Sequence, residues 1–209
     1  MTNADTDRDQ QMINALFAAI TTRGLDADVL HSRLVDGAER DGVLDVSYRT
    51  IDSPIGPLLL AATPEGLVRV AFDREDHDVV LADLAHDISP RILQAPRRLD
   101  GVATQLDEYF SGRRRAFDVP IDLQLAHGFR RTVLMHLRDI AYGETASYAM
   151  VAAASGSPNA VRAVGSACAN NPLPLVVPCH RVVRSDGSIG QYRGGADAKQ
   201  SLLAMEAVT

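Results

Sequence analysis

Cysteine is scarce in this chain of 209 residues: Cys168 and Cys179 are the only two, and none precedes position 168. Two thiols cannot by themselves complete a thiolate zinc site, and a disulfide does not persist in reducing cytosol, so one reactive and one packed thiol is the simplest account. Long apolar runs are missing too; nothing approaches the roughly 20 residues that span a bilayer. No basic or hydrophobic leader stands at the start, where Met1 to Asp9 is polar and acidic, so neither secretion nor organelle import is expected and the expected compartment is the cytoplasm. Internal repeats and low-complexity tracts are likewise lacking. Basic charge is short overall, 21 Lys and Arg against 27 Asp and Glu for a net −6, which argues against binding nucleic acid with the whole surface.

The deficit is uneven. From Leu123 to Thr209 there are 8 Lys and Arg against 5 Asp and Glu, net +3, whereas the preceding 122 residues hold 13 against 22, net −9. Any nucleic-acid face is therefore expected in the C-terminal lobe, with the acidic N-terminal lobe turned away. With 46% hydrophobic residues, the length suffices for one globular unit of two small lobes, each with its own modest core.

Residues 1–42 read as an acidic helical extension. Asp9 can cap a helix whose apolar positions are Met12, Ile13, Leu16, Phe17 and Ile20, and Val29, Leu30, Leu34 and Val35 mark a second. Residues 43–118 read as an antiparallel α/β domain. Leu44, Val46 and Tyr48 alternate; turns at 52–57 and 63–66 then precede Leu58–Ala62 and Leu67–Phe72, making a three-stranded meander. Helices follow near His77–His86 and Leu99–Phe110, the latter stopped by Ser111-Gly112. Residues 119–127 form the linker.

Residues 128–209 open with a helix from Gly128 to Ile140, apolar on one face. Thr145 or Ser147 can cap a short helix through Ala154, Gly156 to Asn159 breaks it, and Ala160–Ala169 forms another that ends before Pro172. Helix, turn and small-residue helix read as a helix-turn-helix. The fold class is thus α/β of the α+β type.

Ala160, Val161, Ala163, Val164, Gly165, Ala167 and Ala169 leave that last helix a very small face, with Arg162 as its only charge. Such a face can pack on a neighbouring helix or let its backbone approach DNA. Arg162 favours DNA, because a long cation there can enter the duplex stack and hold the space left by an extruded base. Arg113-Arg114-Arg115 is either a solvated loop or a phosphate contact.

Cys179 sits in Pro178-Cys179-His180-Arg181-Val182, after the apolar run Pro172-Leu173-Pro174-Leu175-Val176-Val177. Nucleophilic sulfur must be ionised, yet a free thiol with pKa about 8.5 is mostly protonated at neutral pH, so a base or positive field is required. His180 is the adjacent candidate; on a strand the two side chains diverge, on a turn they can converge. Glu206, on a helix from Ala198 to Ala207, can orient His180 directly or through water, or lie on the surface. Tyr192, among Gly190, Gly194 and Gly195, is a base-stacking ring or a turn anchor, its glycines allowing close backbone approach. Cys168 reads as a buried small hydrophobe.

Taken with their spacings, these residues resemble the O6-alkylguanine-DNA alkyltransferases, also called methylated-DNA–protein-cysteine methyltransferases. The likeness runs from Phe129 to Glu206 through Tyr142-Gly143-Glu144-Thr145, Ser147-Tyr148, Arg162-Ala163-Val164-Gly165, Asn171-Pro172, the Cys179 segment, Asp186-Gly187, Tyr192-Arg193-Gly194-Gly195 and Lys199. Val46–Phe72, with Ser53-Pro54-Ile55-Gly56, is similar to the family's N-terminal domain. The resemblance implies a ribonuclease H-like N-terminal sheet with helices and a winged helix-turn-helix-like C-terminal domain. It further implies irreversible, single-turnover transfer of an alkyl group from O6-alkylguanine in duplex DNA, with O4-alkylthymine left open, onto a cysteine after base flipping.

By position the resemblance makes Cys179 the acceptor, His180 its base through a bridging water, Glu206 the group that holds His180, and Asn171 the brace of the turn. Arg162 would replace the flipped base. Tyr148 would press the backbone phosphate and reach the base edge, with Ala160, Ala163 and Gly165 against the minor groove and Ser185 on phosphate. Val182, Tyr192 and Arg193 would line the base pocket, with Val182 and Cys179 offering main-chain carbonyls. Neither metal nor cofactor is implied. The expected partner is double-stranded DNA, and the expected state is a monomer associated with the nucleoid in the cytoplasm. Cooperative assembly on DNA and a partner for residues 1–42 stay open.

Some members of that family carry a structural zinc in the N-terminal domain, for which the cysteines are absent here. Where serine often follows the pocket tyrosine, Arg193 stands, leaving its main-chain N–H for the base. The extension lacks the cysteines of the bifunctional adaptive-response regulators. Three rivals compete. A non-catalytic lesion-binding relative would replace Cys179, often with tryptophan, of which the chain has none. A helix-turn-helix transcription factor leaves the Cys-His segment unexplained, and a cysteine hydrolase leaves the DNA-facing helix without a purpose.

Overall fold

A computed structural model describes residues 27–207. The chain divides into two compact units after Val43. Of the first, residues 27–43 are described, and they include helix α1 (Ala27–Arg40), where the second expected helix lies. The expected helix over Met12–Ile20 falls outside the described residues.

The second unit begins with β1 (Val46–Ile51), β2 (Leu58–Thr63) and β3 (Gly66–Phe72), paired antiparallel as the alternation predicts. A fourth strand, β4 (Ile92–Gln94), joins parallel to β1, so the order is β3-β2-β1-β4. Its three residues are too short a run to be read from periodicity. Helices α2 (His77–Asp87) and α3 (Asp100–Phe110) follow, α2 started by Asp76, whose carboxylate accepts from the backbone of Asp78 and Val79.

Successive side chains on β2 face opposite sides of the sheet. Leu59 and Ala61 pack with Val46, Val68, Ala71 and with Val80 and Leu84 of α2. Leu58 and Leu60 pack on the other side with Val102, Leu106 and Tyr109 of α3, and that cluster continues through Val133, Leu134 and Leu137 to Cys179 and Leu202. A separate core for each lobe was expected; instead one apolar cluster runs through both. The reason lies at the edge of the sheet. There β3 takes Pro120 and Asp122 of the linker as partners through Leu67, and the Val70 N–H donates to Pro172 O at 2.8 Å, so the C-terminal segment closes the edge strand.

The C-terminal half comprises α4 (Gly128–Leu137), β5 (Ala146–Ser147), α5 (Tyr148–Ala154), α6 (Val161–Ala169), β6 (Val182–Val183) and α7 (Ala196–Ala207). Of the two cap candidates Ser147 acts, its hydroxyl accepting from Met150 N. A two-residue parallel ladder of β5 with β6 ties the start of α5 to the segment after Cys179. It had no signature in the sequence.

Candidate active site

After α6 the chain is buried without a break from Asn171 to Val183. The apolar, proline-punctuated run drives this, and within it Leu175 adopts φ 73. A left-handed backbone costs a residue with a Cβ roughly 1–2 kcal/mol, whereas full burial of a leucine side chain contributes about 1.5–3 kcal/mol. Packing therefore holds the reversal that presents Cys179. Cys179–Arg181 form one 3-10 turn, the second of the two geometries open to the Cys-His dipeptide.

Cys179 is 3% exposed. Asn171 lies against it: its amide N donates to Val177 O at 2.8 Å and to Cys179 Sγ at 3.1 Å, while its carbonyl accepts from Leu173 N at 2.9 Å. Ionisation of the sulfur is not built into the resting site. Removal from water pushes the thiol up to about 11, and the hydrogen bond from Asn171 and the nearby Lys199 charge offset only part of the rise. At rest Cys179 is a thiol.

His180 is fully buried, and its Nε2 lies 2.9 Å from Glu206 Oε1, so Glu206 acts directly and not from the surface. The Nδ1 atom is buried and has no hydrogen-bond partner. Because Nε2–H is committed to the carboxylate, the neutral ring carries its lone pair at Nδ1. Burial lowers the imidazole below its ordinary value against the opposing pull of Glu206, which keeps it neutral and able to accept a proton. No direct Cys179–His180 hydrogen bond forms among the described residues.

Glu206 is 1% exposed and receives Arg181 as a fork, Nε to Oε2 at 2.8 Å and Nη2 to Oε1 at 2.9 Å. Burial would raise this carboxyl; the bonds from His180, Arg181 and Tyr109 outweigh it and bring it down to about 2. In the sequence Arg181 stands only as a member of the Cys-His motif. An arginine inside a buried valine run had to find a counter-charge, and that was the available signal. Lys199, also fully buried, donates from Nζ to Val182 O at 2.5 Å, leaving that carbonyl one lone pair for anything else.

Tyr192 lies beside the His180 ring, centroids 6.3 Å apart, and packs edge-on against Phe72 at 5.5 Å. Its hydroxyl is buried without a partner. The glycines around it have an internal purpose: a Cβ on Gly190 would lie 2.5 Å from the Tyr148 hydroxyl, and one on Gly194 2.8 Å from the Phe72 ring. Arg193 sends its side chain away from the pocket to Glu75 Oε2 at 2.6 Å, beside Arg69.

The opposite holds on α6. Arg162 and Ala163 are exposed, Ala160 and Gly165 partly so. A Cβ on Gly165 would meet nothing within 4 Å, so no internal contact demands its smallness. Ser185 is exposed on the loop after β6. In the arginine run Arg113 pairs with Asp107, Arg114 with Glu108, and Arg115 lies over the Tyr142 ring at 5.6 Å.

Two family models match. One described as 6-O-methylguanine DNA methyltransferase, ribonuclease-like domain, covers residues 46–123, and one described as the DNA binding domain of the same family covers 128–208. A methylated-DNA–protein-cysteine methyltransferase of Mycolicibacterium paratuberculosis is 40% identical over 161 residues, 77% of this chain and 92% of its own. The constitutive enzyme of that name from Bacillus subtilis is 36% identical over 78% of this chain and 96% of its own. Among solved structures, the O6-methylguanine methyltransferase of Mycobacterium tuberculosis is similar with TM-score 0.69 at 38% identity, covering 78% of this chain and 93% of that one. The same organism's protein in complex with DNA is similar with TM-score 0.67 at 38% identity, over 77% and 92%.

Proposed function

The chain belongs to the 6-O-methylguanine DNA methyltransferase family and repairs DNA by transferring an alkyl group from methylated DNA to a protein cysteine, and from this premise we propose that Cys179 is the acceptor and His180 its base. The observation that carries the reading is the buried thiol held by Asn171, next to an imidazole whose Nε2 is engaged by Glu206 and whose Nδ1 is free.

A water bridging Cys179 Sγ and His180 Nδ1 takes the thiol proton and passes one to Nδ1 as the lesion enters. The sulfur lone pair attacks the alkyl carbon, the S–C bond forms and the C–O6 bond breaks, and the released guanine takes up a proton to match the one the thiol lost. Aligning sulfur, carbon and leaving oxygen is the main task of the site, since an enclosed near-attack geometry supplies much of the rate. The thioether has no leaving pathway, so one chain repairs one lesion.

The flipped base enters between Tyr148, Tyr192 and the Val182 segment. The buried Tyr192 hydroxyl supplies a donor to a ring nitrogen, Val182 and Cys179 supply carbonyls to the amino group, and the Arg193 main-chain N–H faces O6. Arg162 takes the place of the base in the stack, α6 lies in the minor groove with Ala160, Ala163 and Gly165 against the backbone, and Tyr148 and Ser185 meet phosphate. Open space at Gly165 supports this, because a helix face kept small without an internal neighbour is matched to an external one. The protein acts on double-stranded DNA as a monomer in the nucleoid.

Incubation with a duplex carrying O6-methylguanine, followed by peptide mass spectrometry, tests the assignment. The peptide holding Cys179 gains about 14 Da, one methyl in place of hydrogen, at one methyl per chain. Cys179→Ala gains none. Methyl on Cys168, or repeated turnover, would overturn it.

A further inference from the structure

The first lobe supplies a hydroxyl to the base machinery of the second. Tyr109, near the end of α3, is fully buried, and its OH donates to Glu206 Oε1 at 2.6 Å, the same oxygen that holds His180 Nε2. It also lies 3.5 Å from Nε2 itself. Its ring is clamped by Phe110, Phe117 and Tyr142, with centroids 5.4, 5.2 and 6.2 Å away. Helical periodicity with Val102 and Leu106 marks Tyr109 as a core residue, but a buried phenol needs a partner for its hydroxyl. Of the acceptors available, it takes the carboxylate oxygen facing the base.

We propose that Tyr109 is a positioning residue for alkyl transfer: by donating to Glu206 Oε1 it limits the charge that oxygen presents to His180 and so keeps the imidazole in its neutral form, available as the base. A carboxylate oxygen shared among three donors is a weaker acceptor for each. Arg181 already neutralises Glu206 through both oxygens, and Tyr109 sets the remainder on the one that His180 uses. The other titratable or charged groups near the pair are Arg181, Lys199, Cys179, Tyr142 and Tyr192. The phenol stays protonated at all working pH, because burial and the Glu206 charge both raise it, so its donation is constant.

The inference rests on His180 acting as the base. Its test is the acid limb of the single-turnover rate of methyl transfer from an O6-methylguanine duplex. In Tyr109→Phe, Oε1 loses a donor, its bond to Nε2–H strengthens and the imidazolium is stabilised, so the limb moves to higher pH by roughly half to one unit. Duplex affinity stays as in the unsubstituted chain. Phe110→Leu, which alters the ring packing but removes no hydroxyl, leaves the limb in place. Site-specific 3-fluorotyrosine at position 109, a more acidic donor of nearly the same shape, moves the limb to lower pH and covers the case in which Tyr109→Phe does not fold. Limbs that coincide in the unsubstituted chain, Tyr109→Phe and the fluorinated protein would overturn the proposal. Absence of any acid limb in the unsubstituted chain would instead overturn the role of His180.

Discussion

Relay through His180 predicts a pH profile that ionisation into bulk solvent cannot produce. Burial pushes the Cys179 thiol up to about 11. At pH 7 that leaves roughly one molecule in 10⁴ as thiolate and makes ionisation cost about 5 kcal/mol, at about 1.4 kcal/mol per unit. If the reacting thiolate arose by losing its proton to solvent, the single-turnover rate would climb about tenfold per pH unit, near a hundredfold from pH 7 to 9. With the relay the proton stays within the complex, and the rate is flat across that interval. It falls only as the imidazole protonates, below the ordinary histidine value of about 6.5, since burial lowers His180. Removing the base in His180→Ala should lower the rate at pH 7 by about 10²–10⁴ and bring back the tenfold climb per unit. Quenched-flow transfer from an O6-methylguanine duplex between pH 5 and 9, with duplex affinity measured alongside, decides. A climbing rate in the unsubstituted chain, or a His180→Ala profile of unchanged slope, would refute the relay.

Three further outcomes follow from the geometry. Arg162→Ala should slow repair of duplex DNA by about tenfold or more, as lost base replacement implies, yet leave reaction with free O6-benzylguanine largely intact; equal loss on both substrates would show that Arg162 has no part in flipping. Gly190→Val forces a side chain onto the Tyr148 hydroxyl, 2.5 Å from the site of a Cβ. Transfer should fall with the urea midpoint nearly unchanged, and a normal rate would mean that Tyr148 can relocate freely. Glu206 sits near 2 against an ordinary 4.5; its folded value is depressed, so its contribution is complete above pH 4.5 and lost as pH falls toward 2, about 3 kcal/mol in all. Urea denaturation from pH 6 to 2.5 should show that loss, and Glu206→Gln should flatten it.

Elements decided by local pattern were legible in the sequence. The β1–β3 meander follows from alternation and turn chemistry. Helix α6 follows from its small residues and the proline after it, and the Cys-His segment from its position behind an apolar run. Elements set by the meeting of distant residues were not. Strand β4 is three residues long and pairs with a strand far earlier in the chain, which no period of two can reveal. The β5–β6 ladder, the shared core and the edge closure by Pro172 have the same non-local origin. Gly190 and Gly194 were read as allowing close backbone approach, but the neighbours they accommodate, Tyr148 and Phe72, are known only once the chain is folded.

By itself the sequence determined the chemical cast: a cysteine with an adjoining histidine, a carboxylate on the last helix, an asparagine before the turn, and a small helix face with one cation. Residue identity sets what a side chain can donate, accept or attack, and that survives in any conformation. Only the tertiary structure decided the protonation states and the alliances. A thiol rather than a thiolate, a neutral imidazole with one free nitrogen, and a carboxylate shared among Arg181, His180 and Tyr109 all arise from water being excluded and from groups 97 residues apart being brought to hydrogen-bond distance. Desolvation and direct contact depend on three-dimensional distance, which sequence separation does not encode.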